Sequence, residues 1–364
     1  MSWHSEILRR FRNVPTATET TPLLLLDMTL WHQWHHSRGT LPADFGPTLP
    51  DAYRALGTAV WAPFRPWRVA YEGVDVTTEK TAEAHDIRYR VQGRTLLARW
   101  TRGPDGDWWQ EEYPVKSLDD LRLAVEIAAS RRYVINTEGL DAWRASVGED
   151  GVVPLELPMQ PYSDLLHTLV GWGEGLLLMR GAGKDLVNTI IAELEAKLRA
   201  LVPQIAALPG DLLLAADNLD GQYISPRIFG EHLAQSYAAT AASAHESGKH
   251  LVVHIGGPGR RLAPLLAEAG VDAIQGVSGP PQGDATLTEA RESCGPEVVL
   301  WGGVPQDLLS MAREYEMFER SVREVVDVAA GDSRVILGVA DRVPPQAELE
   351  RLKALVQATR IAQE

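Results

Sequence analysis

Short apolar runs that alternate with helix-forming stretches constrain this chain more than any other feature in it. The runs lie at 23–26, 152–157, 212–216, 251–253, 271–274, 298–300 and 335–339. Strands separated by helical crossovers pair in parallel, because a crossover returns the chain to the same edge in the same direction. The predicted fold is a (β/α)8 TIM barrel with an antiparallel β insertion in the N-terminal third. A doubly wound open sheet is the alternative, but no glycine-rich dinucleotide fingerprint supports it. A chain of 364 residues suits a single barrel domain, 1–364, that carries an insertion.

The clearest helix is "SPRIFGEHLAQSYAATAASAHESGK". Ser225 is a good N-cap, Pro226 fits the first helical position and Gly248 ends the pattern, while Ile228, Phe229, Leu233 and Tyr237 share a face. A polar lead-in with a short helix is expected over 1–22, a helix over 49–60 and another capped at Ser117. Residues 66–113 alternate apolar and polar positions, with Gly93 and "GPDGD" as turns. That period of two predicts an antiparallel meander, outside the barrel wall. Two roles are open for it, a lid or a contact in a homodimer.

The formal charge of −14 argues against nucleic acid and against an anionic membrane surface, since both repel an acidic protein. No apolar run approaches the roughly 20 residues of a membrane span. The start, "MSWHSEILRRFRNV", lacks the apolar segment of a signal peptide. A single cysteine, Cys294, allows no internal disulfide, and a cytoplasmic location is expected. Eleven tryptophans, some clustered in "WHQWHH" and "DWWQ", suggest an aromatic-lined cavity.

Barrel enzymes build their chemistry where strands give way to the following loops. The residues there are Asp27 with Trp31, His32, His35 and His36; Gln160 and Tyr162; Asp217, Asn218, Asp220 and Tyr223; His254; Gln275; Trp301; and Asp341. Most are polar, and a scaffold alone has little reason to repeat that, because buried polar groups need partners. The candidate catalytic residues are His254, Asp217 and Tyr223. Trp31, His35, His36, Gln160, Asn218, Gln275 and Trp301 are candidates for binding a small-molecule substrate. Each has a plainly structural reading too: a core histidine bonded to a carbonyl, a capping aspartate, a solvated loop. Gly256, Gly257, Gly302 and Gly303 supply tight loops, or leave room at the rim for a bulky partner.

The blocks "DNLDGQYISPRIFGEHL", "GKHLVVHIGGPGRRLAPLLAEAGVDAIQG", "SGPPQGDATLTEARESCG" and "VVLWGGVPQDLL" resemble the uroporphyrinogen decarboxylase superfamily over 115–364. "DMTLWHQWHHSRGTLP" looks closer to its corrinoid-dependent methyltransferase branch, which includes components of aromatic O-demethylases. The resemblance implies a barrel, and a methyl group moved from a small methylated substrate to a corrinoid supplied by a partner protein. It also implies zinc, held by a His-x-Cys pair and a later cysteine. Here that pair reads His254-Ile255-Gly256, and Ala340 and Asp341 stand where the later cysteine belongs. The arginine-rich motif of the decarboxylase is absent too.

Two chemistries follow. In one, Zn2+ without thiolate ligands is held by His254 with Asp341 or Asp217 and polarises an ether oxygen. In the other, no metal is used, and His254, Asp217 or a rim tyrosine acts as general acid or anchor for methyl transfer or decarboxylation. A non-catalytic barrel that holds a tetrapyrrole or corrinoid is the rival from a different class.

Overall fold

The computed structural model describes residues 2–12, 21–103 and 106–361. Eight parallel strands line up around a barrel: β1 Leu23–Leu24, β2 Val60–Trp61, β3 Leu155–Glu156, β4 Leu212–Leu219, β5 His250–Ile255, β6 Ala273–Ser278, β7 Val299–Val304 and β8 Val335–Val339. β3 through β8 form a continuous parallel ladder that β1 joins beside β8, with Leu23 opposite Ile336. β2 pairs in parallel with the short strand Gly151–Val152, and Phe64 bridges to Leu155 at the start of β3.

Side chains close the seam between β1 and β2. The Thr58 hydroxyl donates to the Leu24 carbonyl at 3.2 Å. The buried Tyr53 hydroxyl donates to the Leu26 carbonyl at 2.7 Å and accepts the Met28 N–H at 3.0 Å. Those bonds stand in for a ladder and satisfy backbone groups that burial would otherwise orphan.

The strands run past their apolar cores. β4 continues through Asp217 to Leu219, β5 through His254, and β6 and β7 through Gln275 and Trp301. Ladder bonds are made by the backbone and tolerate polar side chains, so a hydropathy pattern ends before the strand does. The expected helix over 49–60 stops at Leu56, where Gly57 takes the left-handed conformation and β2 begins. The long helix after β4 breaks at Leu233 into Pro226–His232 and Ala234–Glu246, though Ser225 caps it and its apolar face is buried as expected.

Helix Trp3–Phe11 covers the N-terminal end of the barrel. His4 Nδ1 lies 3.1 Å from the Gly151 carbonyl, the buried Arg10 donates to the Ser333 carbonyl at 3.1 Å, and Phe11 packs on His250. The rest of the predicted lead-in, residues 13–20, lies outside the described residues.

The antiparallel excursion leaves after β2. Trp67–Tyr71 pairs with Arg131–Ile135, and four strands, Asp75–Lys80, Ala84–Val91, Arg94–Arg102 and Trp108–Glu112, form a meander. Helix Leu118–Ser130, capped by Ser117, packs Leu123 and Ile127 against Tyr89, Val91, Leu96 and Ala98. The excursion thus carries its own small core. It docks on the barrel through the buried pair Arg131–Asp164, and through Gln110, which donates to the Thr168 carbonyl at 3.0 Å.

Candidate active site

Register places three predicted residues in one row. His254 lies opposite Gln275 on β6, and Gln275 opposite Trp301 on β7. Partners across a parallel ladder point to the same face, so all three occupy one layer of the barrel. At one end of the row, His254 Nε2 sits 3.5 Å from Asp341 Oδ1, just past β8. At the other, Trp301 is buried, with its indole N–H on the Leu25 carbonyl at 2.9 Å and its ring edge-on to Trp61 at 4.6 Å. Two indoles therefore fill the barrel interior between β1, β2 and β7. Trp301 was expected as a rim residue for substrate; the structure spends its polar atom and its faces on packing.

Around Asp341 the mouth is acidic. Arg342 contacts Asp107, from the excursion, and lies 3.7 Å from Asp341. Asp27, at the end of β1, also acts on it, and its carbonyl accepts the Val343 N–H at 2.8 Å. These carboxylates hold the Arg342 guanidinium above its ordinary range despite burial. The excursion thereby reaches His254 through three links, Asp107 to Arg342 to Asp341.

Asp217 faces elsewhere. It is fully buried; one carboxylate oxygen accepts the Gln160 N–H at 2.9 Å and the other accepts the Tyr237 hydroxyl. Gln160 is equally buried, with Nε2 on Thr240 at 3.3 Å and Oε1 accepting from Ser236 at 2.5 Å. Ser236, Tyr237 and Thr240 belong to the helix that packs outside β5. Asp217 and Gln160 thus tie β3, β4 and that helix together, and they do not converge with His254 and Asp341.

Burial pushes the Asp217 carboxyl up to about 7, against the two hydrogen bonds that favour its charge. The folded state therefore binds this proton more tightly than the unfolded chain. The stability it contributes is complete below pH ~4 and is lost as pH rises through about 7. Asp217→Asn is expected to flatten the fall in unfolding free energy between pH 5 and 8 by on the order of 2 kcal/mol. Urea denaturation of both proteins at the two pH values checks this; parallel curves would contradict it.

The histidine-rich helix, Thr29–Arg38, leans on the loop after β8. Trp31 is buried against Phe45, with its N–H 3.4 Å from the Ala347 carbonyl. His35 lies 2.8 Å from Thr40 Oγ1 and 3.0 Å from the Pro345 carbonyl, whereas His36 is exposed beside His32. Trp34, next to them, is flanked by Arg38 and Arg102.

Asn218 is exposed in a left-handed conformation, φ 50°, and its Oδ1 occupies the space where a side chain on Gly256 would begin. Asp220 fills the same space beside Gly257, and the Val277 carbonyl does so beside Gly302. The loop glycines accommodate the protein's own groups, not a bulky partner. Gly302 also has φ 144°, a region closed to L side chains. Gly302→Ala is expected to destabilise by about 2 kcal/mol or more, read by urea unfolding.

The donors do not make a zinc site. His254 and Asp341 adjoin, Asp217 is turned away, and Cys294 ends the outer helix Leu287–Cys294. Among the described residues, no three His, Cys, Asp or Glu side chains are grouped to hold a metal ion. Nor is any described helix long and apolar enough to cross a membrane.

On the β3–β4 side the candidate catalytic residue Tyr223 sits in an aromatic group, apart from His254 and Asp341, with two residues that sequence reasoning missed, His167 and Trp172. His167 packs edge-on against Trp172 at 4.5 Å, and Trp172 lies 4.2 Å from Tyr223. Their signal was a lone histidine in the apolar run "LLHTLV", followed by a tryptophan between glycines. Arg342 was also missed, because its importance depends on the excursion's Asp107.

The family model described as uroporphyrinogen decarboxylase matches residues 179–361. No curated protein matches the chain in sequence. Among solved structures, it is similar to a methyltransferase from Methanosarcina mazei, 15% identical over 100% of both chains, with a TM-score of 0.62. A D-psicose 3-epimerase from Clostridium cellulolyticum H10 is 10% identical over 63% of this chain and 83% of its own, with a TM-score of 0.37. These likenesses are of fold.

Proposed function

This chain belongs to the uroporphyrinogen decarboxylase family, and from that premise we propose that it moves a methyl group from a small methoxylated arene to a corrinoid on a partner protein. The observation that carries the reading is the charge at the barrel mouth. Asp27, Asp107 and Asp341 surround Arg342 beside His254. A polycarboxylated tetrapyrrole brought there meets like charge and no free cation among these groups, whereas a neutral ether does not. The end-to-end fold shared with a protein named a methyltransferase agrees with this.

In this reading His254 is the general acid, and Asp341, 3.5 Å away, orients its imidazole. The methyl carbon passes to the reduced corrinoid, the electron pair of the broken C–O bond stays on oxygen, and that oxygen takes the proton from His254. The donor set does not support a zinc ion, so no step runs through one. Gln275 and Asn218 border the substrate, and the helix of Trp31, His35 and His36 bounds its entry. Asp217 and Gln160 act at a distance, by fixing the end of β4.

The test incubates the protein with guaiacol and cob(I)alamin, which stands in for the partner's corrinoid. Loss of the cobalt(I) absorbance with equimolar catechol supports the reading. Carbon dioxide release from a carboxylated pyrrole, without methyl transfer from guaiacol, would replace it with decarboxylation.

A further inference from the structure

The aromatic group on the β3–β4 side has no part in the acid chemistry of His254. Its histidine stands on an unusual turn. Residues Leu165–Val170 form a π-helix, and the Gly171 N–H donates to the Leu166 carbonyl five residues back at 2.9 Å. Such turns are rare and concentrate at functional sites, since the extra residue re-aims side chains at a cost in backbone geometry.

His167 is aimed with a defined polarity. The carbonyls of Asp217 and Asn218 act on its ring as hydrogen-bond acceptors, and because Nε2 has no partner the nitrogen that meets them, and carries the proton, is Nδ1. Burial holds the imidazole neutral, with its pKa lowered to about 4. Nε2 is therefore a hydrogen-bond acceptor, and it is buried with no protein partner. Asn218 sets this histidine near the polar end of the mouth, since its side chain lies against Gly256, two residues past His254.

The neighbours offer flat surface. Trp172 and Tyr223 are half-buried, as is Tyr113, whose hydroxyl takes a hydrogen bond from Trp172. Trp172 packs on the imidazole and is held between two glycines. Gly171 has φ 77° and lies so close to the Tyr113 ring that a Cβ would fall 2.6 Å from it. Gly173 has open space around it.

We propose that Trp172, Tyr223 and Tyr113 form a binding face for a planar aromatic ring, and that His167 Nε2 accepts a hydrogen bond from that ring's phenolic hydroxyl. The substrate class is then a phenol, not a fully etherified arene. This rests on the methyl-transfer reading only for the methoxy group, which the subsite does not contact. Leaving a buried acceptor unpaired is costly, so a ligand without the hydroxyl is rejected by more than the loss of one contact.

Titration calorimetry of the whole chain, with no methyl acceptor present, tests it with guaiacol, catechol and veratrole. Guaiacol and catechol are expected to bind at least tenfold more tightly than veratrole, which has no hydroxyl. His167→Ala is expected to bring the three within about twofold, and His167→Gln, which keeps an acceptor, to restore part of the preference. Trp172→Ala is expected to weaken guaiacol and veratrole alike, by threefold to tenfold. Equal binding of guaiacol and veratrole to the wild type overturns the assignment. So does a preference that survives His167→Ala, or the absence of binding by all three. Should His167→Ala fail to fold, the wild-type ratio and Trp172→Ala decide alone. Because catechol carries no methyl group, a hydroxyl preference without methyl transfer keeps the subsite and removes the transferase reading.

Discussion

Replacing His254 by glutamine is expected to lower the turnover of methyl transfer by roughly 10²- to 10⁴-fold, the usual contribution of a positioned general acid. The substitution keeps a polar side chain in the row with Gln275 and Trp301 and removes the transferable proton. KM for guaiacol is expected to change less than threefold, because the proton is needed only as the C–O bond breaks. Asp341→Asn is expected to act in the same direction and less strongly. It leaves an acceptor beside Nε2 and takes away the carboxylate that orients the ring. Steady-state kinetics with guaiacol and cob(I)alamin separate the two parameters. A rise in KM with turnover intact would instead make His254 a binding residue, and the acid step would have to be assigned elsewhere.

Trp301→Ala is expected to be the most destabilising single change in the barrel, by about 3–5 kcal/mol. It removes a fully buried indole, its bond to the Leu25 carbonyl and its edge-on contact with Trp61. It also leaves a cavity between β1, β2 and β7, and the β1–β2 seam has no backbone ladder among the described residues to hold it. Urea unfolding followed by far-UV circular dichroism measures the loss. A variant as stable as the wild type, with weaker guaiacol binding, would show that the indole lines an open substrate pocket and not a packed interior.

These two residues mark how far a linear reading reaches. His254 and Asp341 lie far apart in the chain, yet both stand where an apolar run ends, and that shared position marked them as neighbours in a barrel. Asp217 fits the same pattern, but its carboxylate turns to Tyr237 and Gln160 in the helix layer. A bulge between Ala215 and Leu219 shifts the register of β4 against β5 just there. Between the pairs Ala215–Val253 and Leu219–Ile255 β4 carries two residues more than β5, and that irregularity re-aims the side chains within it; no hydropathy pattern records it. Trp301 follows the pattern too, but its size carries the ring into the interior.

By itself the sequence determined most of the elements and their order: parallel strands spaced by helices, an antiparallel excursion over 66–113, a capped helix at Ser225 and a histidine at the end of an apolar run; β2, Val60–Trp61, reads as the end of a helix and needed the structure. Periodicity and capping are local properties, so they survive without coordinates. Only the tertiary structure decided which polar groups meet. The pairing of His254 with Asp341, the reach of Asp107 to Arg342 and the burial of the His167 acceptor depend on strand register and on how the excursion docks. Both are set by packing between residues distant in the chain, and no local pattern encodes them.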